Sequence, residues 1–172
     1  MTDRSDEIRE KGERASKLIQ MGKYDGAIIV YKDVLVNLYF VLDCCDDFDE
    51  VTNYLAFLDQ AYSSIINVIK KPEVFLDIIN MVIQDIGEDS YYYADLLFYK
   101  VKVLKVMNKL DDLKNVTKQF VERLDKEIGE NSSSIDKYLN KAYYLILMYW
   151  YDEALNVLET AESIAVYDDE TD

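Results

Sequence analysis

The chain has 172 residues, half of them apolar, which is enough to bury one sizeable core. Only 5 glycines and 1 proline are present, a scarcity that argues against a sandwich, a barrel or a long flexible linker and for helices. The formal charge of −15 repels nucleic acid, whose binding rests on neutralising phosphates, and it disfavours anionic membranes for the same reason. Breaks in the apolar pattern divide the chain into eight helical runs. The first covers about 5–21 and stops at Gly22. The second covers about 24–42 and runs into the acidic stretch "DCCDDFDE". The third, about 48–69, is stopped by "KKPE", and Pro72 suits the first turn of a fourth helix that Gly87 closes. A fifth, about 90–107, follows "GEDS", in which Asp89 or Ser90 can cap. The sixth, about 110–128, closes at Gly129. The seventh is capped by one of Ser132 to Ser134 and reaches about 148, and the eighth covers about 151–167 before a frayed acidic tail at 168–172.

Apolar spacing supports these helices. Ala27, Tyr31, Val34, Leu35, Leu38 and Leu42 recur largely at steps of three and four, and Leu113, Val116, Phe120 and Leu124 do so throughout. The run "AYYLILMYWY", 142–151, is apolar almost all round and calls for neighbours on more than one side. It is too short to span a bilayer, and no longer apolar stretch exists. The N-terminal "MTDRSDEIREKGER" lacks the apolar core of a signal peptide, so the sequence reads as soluble and cytoplasmic. Short breaks make sequential helices antiparallel neighbours, and the chain reads as four hairpins within a single domain, 1–172.

Little in the sequence points to catalysis. With no histidine, zinc sites of the Cys/His kind are excluded, and the adjacent Cys44 and Cys45 are poorly placed to bond each other. Both read as small side chains at a helix end. The acidic cluster of Asp43, Asp46, Asp47, Asp49 and Glu50 lacks the spacing and glycine of a calcium loop and reads as capping and solvation. No phosphate loop, nucleophile elbow or recognisable carboxylate pair occurs. The expectation is therefore no enzyme, no cofactor and no metal.

"GKYDGAIIVY", 22–31, has a cousin near the other end, "WYDEALNVL", 150–158. In both, an alanine lies 12 residues before the alanine of the motif, Ala15 before Ala27 and Ala142 before Ala154. Small residues at such positions let two helices of a hairpin approach closely near their turn. Ala15, Leu18, Gly22, Tyr24, Ala27 and Tyr31 resemble the helix-turn-helix unit of the tetratricopeptide repeat (TPR) family. Ala142, Leu145, Tyr151, Ala154, Leu158 and Ala161 repeat the pattern with Tyr149 where the turn glycine would be. Leu104, Asn108, Leu110, Leu113 and Phe120 form a weaker copy, and the hairpin around Pro72 matches in outline only.

The resemblance implies an all-α, right-handed superhelix of about four antiparallel hairpins whose concave face, built from the first helix of each pair, holds a peptide or partner helix. By the same resemblance that face carries Arg9, Gly12 and Ser16 in the first helix, Phe98, Lys102 and Lys105 in the fifth, with Lys109 just past its end, and Asp136, Leu139, Tyr143 and Ile146 in the seventh. The partner-binding residues read from the sequence are Phe98, Lys102, Lys105, Asp136, Leu139 and Tyr143, and the lysine stripe suits an acidic peptide. Gly12 and Ser16 stand where a carboxylate clamp would place lysine and asparagine. Residues 5–70 also resemble a microtubule-interacting and trafficking (MIT) domain, a three-helix bundle favoured by the long second run. A third reading, from charge alone, is an acidic mimic or chaperone of a basic protein.

Overall fold

The computed structural model describes residues 4–44, 48–130 and 134–169. The chain is all-α, with no strand among the described residues. It divides into two compact units, Met1–Val116 and Thr117–Asp172, the boundary falling inside a helix.

In the first unit, α1 (Arg4–Gln20) packs on α2 (Tyr24–Asn37) and on α4 (Phe48–Ser63). A short helix, α3 (Val41–Cys44), also lies against α4. The end of α4 widens into a π-helical segment, Ser64–Ile69, in which Ile65, Ile66 and Ile69 are all buried. It closes at Lys70, whose φ of 62° is left-handed. Next come α5 (Pro72–Ile86), which packs on α6 (Tyr93–Val106) and touches α2. Pro72 occupies the first turn of α5 and Gly87 its end, both as expected. The core gathers Tyr31, Tyr54, Phe57, Leu58, Phe75 and Leu97, with the Tyr31 and Phe57 rings edge-on at 5.4 Å.

The boundary between the units falls within α7 (Leu110–Glu130). In the second unit, α8 (Ile135–Leu147) and α9 (Tyr151–Asp169) form a close hairpin on Ala142, Leu145, Ala154 and Ala161. Tyr144 sets its ring edge-on to Phe120 at 5.5 Å, and Lys141 pairs with Asp125.

Three turns share one geometry. The N–H of Gly22 donates to Ile19 O at 2.9 Å and that of Lys23 to Leu18 O at 2.8 Å. Asn108 and Lys109 make the same pair to Lys105 and Leu104, and Tyr149 and Trp150 to Ile146 and Leu145. Each is a Schellman closure with a left-handed residue at its centre, φ 69° at Gly22, 54° at Asn108 and 63° at Tyr149. The next helix then opens identically, from Lys23 O to Ala27 N–H, Lys109 O to Leu113 N–H and Trp150 O to Ala154 N–H. The three sequence copies thus build one local structure.

Three expected boundaries differ. The second run does not continue to 42, because α2 ends at Asn37 and Leu38–Phe40 turn the chain. The turn carries Val41 and Leu42, 0% and 4% exposed, into contact range of the core, and brings Phe40 under the Arg4 guanidinium at 5.1 Å. Gly129 does not close the sixth helix, since its φ is not left-handed and α7 runs through it to Glu130. Ser90 caps no helix; its hydroxyl accepts from Tyr92 N–H at 3.2 Å in the turn before α6. The side chains of Asp43 and Cys44, all of Cys45, Asp46 and Asp47, and the tail beyond 169 lie outside the described residues.

Candidate functional site

An open groove of about 560 Å³ lies between α1 and α4 in the first unit. Its apolar lining comes from Ile8 and Gly12 of α1 and from Ala56 and Phe57 of α4. Gly12 is buried, and a Cβ there would lie 3.1 Å from Gln60 Oε1 and 3.5 Å from the Phe57 ring, so a larger residue would press on the Gln60 amide. The Gln60 amide bridges them, donating to Gly12 O at 3.1 Å and to Ser16 Oγ at 2.8 Å. Along the rim stand Arg9, Glu13, Lys17 and Gln20 on α1 and Asn53 on α4. Apolar lining and hydrogen-bonding rim are what a groove needs to hold a peptide's side chains and backbone together.

Beside it, α4 meets α6 through an aromatic cluster. Tyr62 stands edge-on to Phe75 at 5.3 Å and to Tyr99 at 5.6 Å. The Lys102 ammonium lies over Tyr62 at 4.1 Å, Tyr99 at 4.9 Å and Phe98 at 5.3 Å. Burial holds its pKa below the usual lysine range, and the nearby Asp59 opposes that shift. The Tyr99 hydroxyl donates to Asp59 Oδ1 at 3.1 Å. Burial pushes the Tyr99 phenol up, and the Asp59 charge and hydrogen bond push it further.

The residues expected at a partner site are distributed as follows. Arg9, Gly12 and Ser16 come together in the α1–α4 groove. Phe98 is buried in the α6 junction and Lys102 is half-buried in its cage of rings. Lys105 is exposed near the end of α6. In the second unit, Asp136, Leu139 and Tyr143 lie on the exposed side of α8, with the Tyr143 ring edge-on to Tyr144 at 5.5 Å. The sequence pattern alone does not single out the α4 contribution to the groove, Asn53, Ala56 and Gln60. Its signal lay in the residues of the third run that face away from the core pattern Val51, Tyr54, Leu58.

Among the described residues no three carboxylates or thiols gather as a metal site, and no helix is long and apolar enough to cross a membrane. The chain matches no family model, no curated protein and no solved structure.

Proposed function

We propose that this protein is a non-catalytic interaction module of tetratricopeptide type, an adaptor, assembly factor or complex subunit, with the cytoplasm as its compartment. Its α1–α4 groove receives an extended peptide or a partner helix. The observation that carries this reading is the groove itself: two first helices of successive hairpins, bridged by the Gln60 amide beside Gly12, leave a preformed apolar trough with a polar rim. A preformed trough places little ordering cost on this partner when a peptide binds. The recurrence of one Schellman turn at Gly22, Asn108 and Tyr149 supports kinship with the repeat family over a single three-helix bundle. The MIT reading also leaned on a long second helix, and α2 stops at Asn37.

The test is selection of short peptides from a displayed random library on the intact protein, followed by mapping of amide shifts. Peptides should shift Arg9, Ser16, Asn53 and Gln60, and Ala56→Arg should weaken them about tenfold, which is about 1.4 kcal/mol. Ala56 is exposed, so the added side chain fills the groove without entering the core. Selected peptides that map elsewhere, or that ignore Ala56→Arg, overturn the assignment.

A further inference from the structure

We infer that the α8–α9 hairpin carries a second, independent docking surface, for an amphipathic helix with an apolar stripe flanked by lysine or arginine. On α8, Leu139, Tyr143 and Ile146 recur at steps of four and three and are 46%, 56% and 42% exposed. Leu147, beside Tyr143 on the same helix, is 39% exposed, and Tyr151 and Leu155, one turn apart on α9, are 59% and 56% exposed. Scattered apolar residues on a surface are ordinary, but a stripe continued from one helix to its neighbour is not. The hairpin's inner side is already satisfied, with Ala142, Leu145, Ala154 and Ala161 each no more than 3% exposed. Turning each helix by about 100° per residue from those buried centres puts the α8 stripe and Leu155 on one side of the antiparallel pair.

Charge selects the occupant. From Tyr151 to Asp169 the chain has no lysine or arginine, while Asp152, Glu153, Glu159 and Glu162 are all exposed. By the same helical count Glu159 and Glu162 border the patch on α9 and Asp136 borders it on α8. The two lysines of α8, Lys137 and Lys141, fall on the opposite side, and Lys141 pairs with Asp125 of α7. A second copy would set these carboxylates against their own image, whereas a basic amphipathic helix buries the stripe and answers the charge.

The probe is a labelled peptide of about five helical turns with leucine along one face and lysine on the rest. Two controls accompany it: one with glutamate for every lysine, and one with the same composition but scrambled order. Anisotropy is read on the intact protein at about 150 mM salt. The leucine–lysine peptide should bind, and both controls should bind at least about tenfold more weakly. The double variant Leu139→Ser with Tyr143→Ser, both at exposed positions, should lose about tenfold, while Ala56→Arg leaves binding unchanged. Equal binding of the scrambled peptide means that charge alone acts, and the proposal fails. It fails equally if the glutamate peptide binds as well, if the double variant binds like the parent, or if Ala56→Arg abolishes binding. Sedimentation showing a dimer that the double variant dissolves makes a second copy the occupant and also overturns it.

Discussion

The hydroxyl of Tyr54 donates at 2.7 Å to the carbonyl of Leu35, in the last turn of α2, where carbonyls run out of helical N–H partners. Tyr54 is wholly buried, so Tyr54→Phe strands that carbonyl away from water and should lower stability at neutral pH by about 1–2 kcal/mol. The same burial raises the Tyr54 phenol far above its ordinary value, and it raises Tyr31, Tyr62, Tyr92 and Tyr99 in the same direction. Below pH about 10 these phenols are neutral in both states and contribute no slope. Above it the unfolded chain releases protons that the folded chain keeps, so stability falls as pH rises. Burial lowers Lys100 and Lys102, which has the opposite sign but acts only up to pH about 10.4. The raised Lys11, held mainly by its hydrogen bond to Asp33, adds to the loss above that point. A falling alkaline limb is therefore expected, and Tyr54→Phe should make it shallower by about 1.4 kcal/mol per pH unit. Urea unfolding at pH about 7 and about 11 checks both claims, since the gap between parent and variant should narrow at the higher pH.

At the level of helices and turns, the three Schellman closures differ in the residue that must take a left-handed backbone. Gly22 does so without steric cost, whereas Tyr149 carries a Cβ into a region worth about 1–2 kcal/mol of strain for an L-residue. Part of that strain is offset by the greater chain entropy glycine brings to the unfolded state. Gly22→Ala should therefore destabilise by about 1 kcal/mol, and Tyr149→Gly should stabilise by about 0.5 kcal/mol, opposite signs at equivalent positions. Urea midpoints at unchanged slope measure both. The first two turns were legible because Gly22 and Asn108 are strong local punctuation, and the third because Tyr149 falls where the motif's turn glycine would be. The end of α2 was not, because Leu38, Tyr39 and Phe40 include neither glycine nor proline, and the chain turns there through packing of Val41 and Leu42. Gly129 misled for the complementary reason: a glycine stops a helix where a left-handed φ is needed, and at Gly129 no such need arises. The π-helical end of α4 leaves no mark either, since Ile65, Ile66 and Ile69 fit an ordinary helix pattern equally well. The groove was half legible. Arg9, Gly12 and Ser16 follow from facing away from α2, but Asn53 and Gln60 belong to the hairpin whose motif matched only in outline. Phe98 and Lys102 show what helical spacing leaves out: it gives the direction of a stripe, not the neighbour, here α4, that meets it.

At the scale of the whole chain, the two readings of the N-terminal half differ in what must be present for it to fold. A three-helix bundle ends with the third run, so residues 1–71 should suffice. In the first compact unit those residues lack partners they use. The Tyr62 ring packs on Phe75 of α5 and on Tyr99 of α6, Lys102 of α6 covers Tyr62, and α2 touches α5. Without α5 and α6, the apolar side chains of the π-helical segment would also lose part of their cover. A fragment that short buries a small fraction of its surface and has little stability to lose. A fragment covering 1–116 keeps the whole unit and should show a cooperative thermal transition by circular dichroism, with near-ultraviolet signals from Tyr54 and Tyr62 intact. The 1–71 fragment should retain helical signal at low temperature but melt broadly, with a urea slope below that expected for its length. If 1–71 instead unfolds as sharply as 1–116, α5 and α6 are additions to a self-sufficient bundle. The groove between α1 and α4 would then belong to a three-helix adaptor, and the shared turns at Gly22, Asn108 and Tyr149 would reflect a common way of closing helical hairpins rather than a repeat.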